Sequence, residues 1–328
     1  MFEEYKNHDI AVYAGYLKDD TKLMQSASGG VATALASYVL EQGGYVVGVA
    51  YTPDLQNAEY IIIHDQSELY KLKGSKYIDT QKGTIYKDVK QLLSEGELVL
   101  FTGTPCTVAA LHKMVGRPEN LISCELICHG PTLPKVHQDF IATLERKEKS
   151  KIIDFSVRHK KHEWQPSYIC AKFKNGAIYE KPLFETDYGY AFMMLGKEGC
   201  YKCQFRGDNR TGDIMVGDFW GATENDEFWN KRGVSVIFAE TERGNELVKK
   251  IEDFQLFESD FERAVEQNPM IIRPKDKEVK TDLFKQLLFE KGLHYATIHT
   301  YSKKKRIKYF LEKILPSGVI SAVKKIKK

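Results

Sequence analysis

The chain has 328 residues, of which 42% are hydrophobic and 12% aromatic, so it is long and apolar enough for one or two globular units and is not a disordered chain. No apolar run reaches the roughly 18 residues that a membrane-spanning helix needs, and the N-terminal sequence MFEEYKNHDI lacks the pattern of a secretory signal. The net charge of +3 is uneven, because residues 302–328 carry +9 and leave −6 for the rest. We therefore expect a cytoplasmic protein whose basic tail has an anionic partner of its own.

Strands and helices alternate through about residue 150. SASGG precedes a helix that begins at Val31 and ends at the Gly43-Gly44 pair, and two strand-like runs, YVVGVAY and AEYIIIHD, follow it. A polar loop, KGSKYID, leads to the amphipathic helix GTIYKDVKQLLSEG. The strand ELVLF, the helix in GTPCTVAALHKMVG and the strand NLISCELIC complete this part. The alternation predicts an α/β layer with ligands at the carboxyl ends of the strands.

After residue 150 the pattern becomes that of antiparallel strands. IIDFSVRHK, PSYICAKFKNG and AIYEKPLF predict three of them, and the stretch EGCYKCQFRGDNRTGDIMVGDFWG follows. GVSVIFAE predicts another strand, and a helix begins near Arg243. The predicted fold class is therefore mixed α/β: an N-terminal alternating α/β layer, a mostly antiparallel β region, and a basic amphipathic C-terminal helix.

Four cysteines are candidates for one metal site. Cys106 opens a helix just after a strand, and Cys128 ends the next strand, so two adjacent parallel strands would bring them to one sheet edge. Cys200 and Cys203 have the Cys-x-x-Cys spacing of metal-binding loops. From spacing alone a four-cysteine site and scattered thiols are about equally supported, and zinc cannot be told from an iron–sulfur cluster. A redox dithiol is a further alternative for the pair.

The other two cysteines have different expected roles. Cys124 stands four residues before Cys128 within a predicted strand, so we expect it to face the same side, deeper in the protein. Cys170 lies in the middle of a strand and is predicted to serve packing. In a reducing compartment all six are expected as thiols or metal ligands rather than disulfides.

Several polar segments suit anions. Ser26, Ser28, Gly29 and Gly30 could form an anion cradle at a helix start, although serine and glycine are also ordinary helix caps. Lys73, Gly74, Ser75 and Lys76 make a second, flexible candidate. The segment RHKKHEW, which contains Arg158 and Lys160, suits an anionic substrate group or a solvated basic turn. GxGxxG and GxxxxGK[ST] are both missing from the sequence, so a dinucleotide fingerprint and a P-loop are not supported.

The ordered motifs SASGGVATAL, KGSKY, FTGTPC, ICHGP, CYKC and GDIMVGDFWG resemble the beta subunit family of coenzyme F420-reducing hydrogenases and dehydrogenases, from about residue 9 to about residue 285. The resemblance implies a flavin and iron–sulfur oxidoreductase that binds FAD and a [4Fe–4S] cluster. It also implies a division into an N-terminal family domain on the flavin phosphate side (residues 1–104), a C-terminal family domain with the cysteines (105–290) and a basic tail (291–328).

The resemblance carries roles to individual positions. The implied cluster ligands are Cys106, Cys128, Cys200 and Cys203. The implied flavin contacts are Ser26, Ser28, Gly29, Gly30, Lys73, Gly74, Ser75, Lys76, Tyr77, Thr102, Gly103, Thr104 and Trp220. Arg206, Asp213 and Asp218 are expected near the same site, and His129, Arg158, Lys160 and Asp218 are candidates for catalysis.

The resemblance also bears on partners. Many relatives begin with a ferredoxin-like segment that this sequence lacks, so an external donor such as a ferredoxin or a flavoprotein is expected to deliver electrons. Lys197-Glu198-Gly199 stands where relatives often have Arg-Pro-Ser, which leaves the substrate open. A small-molecule or lipid-linked substrate, including one of cell-surface polysaccharide synthesis, is compatible with it. A non-catalytic electron-transfer subunit and a zinc-stapled binding protein are the alternatives.

The tail predicts attachment to an anionic membrane surface, which would place the protein at the inner face of the membrane. Residues 302–328 contain ten Lys and Arg, and an apolar stripe runs along them at helical spacing. Its members are Ile307, Phe310, Leu311, Ile314 and Leu315, with a second stripe at Val319, Ile320, Val323 and Ile326. Packing on the body or on an acidic partner is the alternative. Nucleic acid is not expected as a partner, because aromatic residues are few in the tail.

Overall fold

The structure is a computed structural model and describes residues 10–307. Eleven strands in that range form two sheets. In chain order they are β1 (Ala11–Leu17), β2 (Tyr45–Tyr51), β3 (Ala58–Ile63), β4 (Val99–Gly103), β5 (Leu121–Leu126), β6 (Ile152–His159), β7 (Tyr168–Phe173), β8 (Ile178–Pro182), β9 (Ile214–Asp218), β10 (Ser235–Ala239) and β11 (Phe254–Ser259).

Helices connect and cover the strands. They are α1 (Asp20–Gln25), α2 (Val31–Glu41), α3 (Ile85–Ser94), α4 (Pro105–Val115), α5 (Pro134–Glu148), α6 (Asp187–Met194), α7 (Glu242–Lys249), α8 (Phe261–Glu266), α9 (Thr281–Lys291) and α10 (Leu293–Thr300). Short 3₁₀ turns lie between some of them, including one at Glu198–Cys200.

The larger sheet has eight strands in the order β11-β1-β10-β9-β5-β4-β2-β3. Its centre, β2-β4-β5-β9, is parallel, and the strands on both sides of that centre are antiparallel. Parallel strands are covered on both faces, which explains why these segments read as apolar runs. Helices α2 and α7 pack on one face and α3 and α4 on the other. The carboxyl ends of β4, β5 and β9 therefore meet at one edge.

The smaller sheet is antiparallel, with the order β6-β7-β8. It packs with α5, α6, α9 and α10 around a separate hydrophobic cluster that includes Phe155, Tyr188 and Phe284. The predicted fold class is confirmed, including the three consecutive antiparallel strands.

Details of the elements differ from expectation. Ser26 and Ser28 do not cap α2: its N-cap is Gly30, at φ 85°, and no side chain makes a cap bond there. The helix ends at Glu41, before the glycine pair. The larger sheet takes strands from both sides of residue 104, because β5 and β9 continue the parallel order of β2 and β4. The predicted domain division stays a prediction.

The basic tail is described only at its start. Lys305 lies over the rings of Tyr301 and Tyr190, with its Nζ at 4.4 and 4.7 Å from the ring centroids, so the first turn contacts the body. The apolar stripes predicted from Phe310 onward lie outside the described residues. Within residues 10–307, none of the helices has both the length and the apolar character needed to span a bilayer.

Candidate cofactor site

Cys106 and Cys128 lie at the shared end of β4 and β5, as predicted. Gly103 is opposite Glu125 in the parallel register, and each cysteine follows its strand residue by three positions. Cys106 is in the first turn of α4, directly after Pro105, and its Sγ lies 3.4 Å from Thr104 Oγ1. Cys128 accepts a hydrogen bond on Sγ from the Gly130 amide at 3.2 Å.

Cys200 and Cys203 reach the same place from the loop that follows α6. Gly130 has φ 90°, and a Cβ added there would lie 3.3 Å from the Sγ of Cys200, so only glycine fits without displacement. Cys200 interacts electrostatically with both Cys106 and Cys203, and Cys128 interacts with Cys106 and Cys200. Four thiols from three chain segments are therefore close enough to influence one another.

Burial controls the protonation of these thiols. It raises the pKa of Cys128 to about 11, although the Gly130 amide and the Arg206 guanidinium act in the opposite direction. Burial also raises the pKa of Cys200. Because a metal binds the thiolate, loading this site would release protons, and affinity would rise with pH.

Two cations lie beside the cysteines. Arg206 donates to the carbonyl oxygens of Cys128 and Met270, which ties the cysteine loop to the segment after α8. Lys275 donates to the carbonyl oxygens of Phe192 and Leu195 at 2.8 and 2.7 Å and is within electrostatic range of Cys200 and Cys128. Sequence analysis did not single out Lys275, because RPKDKEVK has the composition of a solvated surface segment.

The two cysteines outside the candidate set lie elsewhere. Cys124 is in β5, inside the main hydrophobic cluster, and pairs with Ile214 of β9. The strand ends at Leu126, so Cys128 stands beyond it rather than within it. Cys170 is buried in the middle of β7 on the smaller sheet.

The SASGG segment is bound tightly to the protein itself. The Ser28 hydroxyl donates to the carbonyl oxygens of Val234 and Gly217 at 2.7 and 3.2 Å, and the Gly29 amide donates to Ser235 Oγ at 2.9 Å. The Ser26 hydroxyl donates to the Lys22 carbonyl at 2.8 Å. The two serine hydroxyls therefore donate to the protein's own backbone, and the predicted anion cradle stays a prediction.

Two lysines accompany this segment, of which Lys160 is buried and Lys76 is partly buried. Lys160 donates to the carbonyl oxygens of Leu23 and Ser28, at 2.8 and 2.5 Å. Lys76 donates to the carbonyl oxygens of Lys71 and Lys73, at 3.0 and 2.8 Å. Burial lowers the pKa of each lysine to about 7. Neither makes an ion pair with a carboxylate within residues 10–307.

The other predicted flavin segments lie around the same strand ends. Lys73 bonds to Gln25 at 3.0 Å, which brings its loop to α1 and the SASGG segment. Gly48 of β2 lies against both Leu72 and Thr102 Oγ1, and Thr102 donates to the Val47 carbonyl at 2.9 Å. Gly74 and Ser75 continue the Lys73 loop toward Tyr77. Gly103 is the last residue of β4 and lies against the Tyr60 hydroxyl. The hydroxyl groups of Thr104 and Thr107 form a hydrogen bond of 2.7 Å.

An aromatic and ionic group faces the end of β9. Arg158 of β6 forms a two-point ion pair with Asp218 and also donates to the Tyr77 hydroxyl at 3.3 Å. The Trp164 indole donates to Asp218 Oδ1 at 3.3 Å and stacks on Trp220, with the ring centroids 5.2 Å apart. The pair neutralises its own charges, and the catalytic roles suggested for Arg158 and Asp218 stay predictions.

His129 lies between Cys128 and Gly130, 6.4 Å from the Phe192 ring between centroids. Burial lowers its pKa to about 4, and the nearby Arg206 cation acts in the same direction. The imidazole is therefore neutral at physiological pH and has one nitrogen that can donate and one that can accept.

The expectation that Asp213 lies near the site is wrong. Asp213 precedes β9 at the end opposite Asp218 and bonds to Arg243, Ser123 and Thr241, at 2.7, 2.7 and 3.1 Å. Although burial opposes it, the pKa of Asp213 is lowered by the bonds from Arg243 and Ser123. This carboxylate fastens α7 to the sheet.

Comparisons with known proteins were made for sequence and structure. Residues 96–262, a little over half of the chain, match the family described as the C terminus of the coenzyme F420 hydrogenase/dehydrogenase beta subunit. Residues 12–82 match the family described as the N-terminal part of the same subunit. A search of curated protein sequences finds no match.

A solved chain of the F420-reducing [NiFe] hydrogenase complex from Methanosarcina barkeri, studied by xenon derivatization, has a similar fold. The TM-score is 0.54 at 20% identity, over 88% of this chain and 91% of that chain. At this identity the likeness shows the fold alone. The two family matches, in order along the sequence, show that the chain belongs to the coenzyme F420 hydrogenase/dehydrogenase beta subunit family, a family of oxidoreductase subunits.

Proposed function

We propose that the protein is an FAD- and [4Fe–4S]-dependent oxidoreductase that takes electrons from an external donor, ferredoxin-like or F420-type, and passes them through the cluster and FAD to a substrate. When bound, these groups supply one-electron transfer at the cluster and hydride transfer at the flavin. The observation that carries the proposal is the convergence of Cys106, Cys128, Cys200 and Cys203 at the carboxyl ends of parallel strands.

The separation of the sulfur atoms favours a cluster over a single zinc ion. Within the described part of the chain, no three of the four sulfur atoms lie within 4.8 Å of one another. A tetrahedral zinc site with bonds of about 2.3 Å would bring each pair of sulfurs to roughly 3.8 Å. A cluster holds its cysteines farther apart, because each binds a different iron.

The flavin part of the proposal rests on Lys76 and Lys160. Lys76 and Lys160 place two ammonium groups without carboxylate partners beside the loops that precede α2 and follow β3. A phosphate group there would offset the cost of burying these charges. Arg158 and Asp218 contact Tyr77 and Trp164, so we assign the ion pair to positioning these two aromatic side chains. His129, next to a proposed cluster ligand, stays a candidate for catalysis.

An electron-relay subunit without its own substrate is the second candidate. The structural likeness to a chain of a multi-subunit hydrogenase complex favours it. In that case a partner subunit would receive the electrons that are otherwise passed to a small-molecule or lipid-linked substrate. Turnover of a substrate by the isolated, reduced protein would separate the two.

The cofactor proposal is tested by purifying the protein without oxygen. We expect iron and acid-labile sulfide at four of each per chain, together with FAD released on denaturation. Cys203→Ser should lose the iron and retain part of the FAD, whereas Cys124→Ala, which changes a thiol of the hydrophobic cluster, should retain both. A colourless protein with one firmly bound zinc, or a Cys203→Ser variant with full iron content, would refute it.

A further inference from the structure

A second group of metal-ligand side chains lies on the smaller sheet. The ligand atoms of His159, Cys170 and Glu180 all lie within 4.8 Å of one another, and His159 Nε2 is 3.4 Å from Glu180 Oε1. The three residues come from β6, β7 and β8, so each strand of the sheet provides one. Within the described residues this is the one such group that the structure brings together.

A bulge in β6 creates the group. Ser156 pairs with Cys170, but His159 rather than Arg158 pairs with Tyr168, so β6 carries one extra residue between the two pairs. Paired residues share a face of a sheet, and Cys170 pairs with Glu180 on the other side. The extra residue therefore turns His159 to the face of Cys170 and Glu180. Arg158 is left to contact Asp218 instead.

This face is not the one that packs in the core. Ile169, Ala171 and Phe173 of β7 belong to the hydrophobic cluster beneath the sheet, whereas Cys170 does not. The Cys170 residue is only 6% exposed, while the side chains of His159 and Glu180 are 37% and 24% exposed. A buried thiol with two partly exposed ligands above it leaves a path for an ion from solvent. Packing of an apolar thiol, the role predicted from the sequence, does not account for that arrangement.

The chemistry of the three groups suits a borderline divalent ion. Burial lowers the pKa of His159, which keeps its imidazole neutral and able to coordinate, and burial raises the pKa of Cys170, which would give up its proton to the metal. One sulfur, one nitrogen and one carboxylate oxygen match the ligands of zinc. Thiolate and carboxylate would neutralise the charge of the ion. The Nζ atom of Lys161 lies 2.6 Å from the other carboxylate oxygen of Glu180, so the lysine competes with a metal ion for this carboxylate.

We propose that His159, Cys170 and Glu180 bind a divalent transition metal of the zinc class, with a fourth position open to water. The ion would join all three strands of the smaller sheet at the bulge that also positions Arg158. This site uses none of the four cysteines of the proposed cluster, so the zinc-site proposal can be tested independently of the proposed function.

The test compares zinc binding by the full-length, anaerobically purified chain and its variants. Wild type should bind one more zinc per chain than Cys170→Ala, and Glu180→Gln should weaken that binding tenfold or more. Lys161→Gln removes the competing cation and should tighten it. Far-UV circular dichroism checks that each variant is folded. If Cys170→Ala does not fold, Glu180→Gln, a change at a partly exposed position, still tests the site.

Cobalt distinguishes this site from the four-cysteine set. With Co²⁺, a thiolate-to-metal charge-transfer band should persist when Cys106, Cys128, Cys200 and Cys203 are all changed to Ser, and it should disappear from that background when Cys170→Ala is added. Equal zinc stoichiometry and affinity in wild type, Cys170→Ala and Glu180→Gln would overturn the proposal. A cobalt band that survives the added Cys170→Ala substitution unchanged would also do so.

Discussion

At the scale of single residues, the proposed anion site depends on Lys76 and Lys160. A buried ammonium group without a carboxylate costs free energy, and the structure offsets that cost only with backbone carbonyls. The consequence is a pKa of about 7 for each, against 10.5 in an unfolded chain. Any bound phosphate would stabilise the charged form and raise the pKa again.

The first prediction concerns the pH dependence of FAD binding. Above pH 7 the free protein has largely lost the proton of Lys76, whereas an adjacent phosphate requires it, so binding takes up a proton. Affinity should therefore fall as pH rises from 7 toward 9, by up to about tenfold per pH unit for each lysine involved. The measurement is the dissociation constant of FAD across this range.

Matched variants show whether Lys76 is responsible. Lys76→Met should weaken FAD binding at pH 7 and flatten the pH profile, because the titrating group is gone. Lys87→Met, at an exposed position of α3, should leave both unchanged. A wild-type profile that is flat between pH 7 and 9 contradicts the assignment of these lysines to the phosphate.

At the scale of elements, the loop between the Cys-x-x-Cys pair and β9 is fixed by a buried ion pair. Arg210 and Glu125 are 2% and 1% exposed, and Glu125 also accepts from the amides of Thr211 and Gly212, at 3.0 and 2.9 Å. Arg210 further donates to the Ile271 carbonyl at 3.0 Å. The loop is thereby joined to β5 and to the segment after α8, beside the cysteines.

The second prediction is that breaking this pair destabilises the protein strongly. Arg210→Met leaves the Glu125 carboxylate buried and unpaired, which should lower the free energy of unfolding by about 3–5 kcal/mol. Arg263→Met breaks the more exposed pair with Asp226 and should cost about 1 kcal/mol or less. Urea unfolding measures both values.

A double variant separates charge from packing in the same pair. Arg210→Met with Glu125→Gln should regain part of the stability that Arg210→Met loses, because the unpaired charge is removed. If Arg210→Met and Arg263→Met lower the free energy of unfolding by the same amount, the buried Arg210–Glu125 pair does not fix the loop.

At the scale of the whole molecule, the charge is divided between a mildly acidic body and a basic C-terminal segment. The first turn of that segment contacts the body through Lys305. Residues 308–328 contain six lysines and one glutamate, together with both apolar stripes predicted from the sequence, apart from Ile307. We propose that this segment binds an anionic membrane surface, where each basic residue contributes about 1 kcal/mol.

The third prediction is that deleting residues 308–328 abolishes binding to anionic vesicles. Retaining residues 302–307 preserves the contact of Lys305 with the body, so the loss should not affect folding. Flotation with phosphatidylserine-containing vesicles should drop at least tenfold, and neutral vesicles should bind neither form. Salt should weaken wild-type binding through screening. Equal flotation of both forms would refute the proposal that residues 308–328 bind the membrane.

Much of the fold follows from local sequence. Alternating apolar periods predicted β2, β3 and the three strands of the smaller sheet, and the position of Cys106 and Cys128 after consecutive strands predicted their meeting. These features depend on periodicity and on the parallel register, which are properties of short segments. The family motifs, in order, likewise identified the chain as a member of its family.

Only the tertiary structure decided which polar side chains gather. Asp213 was expected at the site and instead fastens α7, the Ser28 hydroxyl donates to the Val234 carbonyl, and Lys275 reaches the cysteines from a segment that looked solvated. The bulge in β6 turns Arg158 and His159 to different partners. Such placements depend on register, strand order and burial across distant segments, whereas the sequence by itself determines the residue types and their local periods.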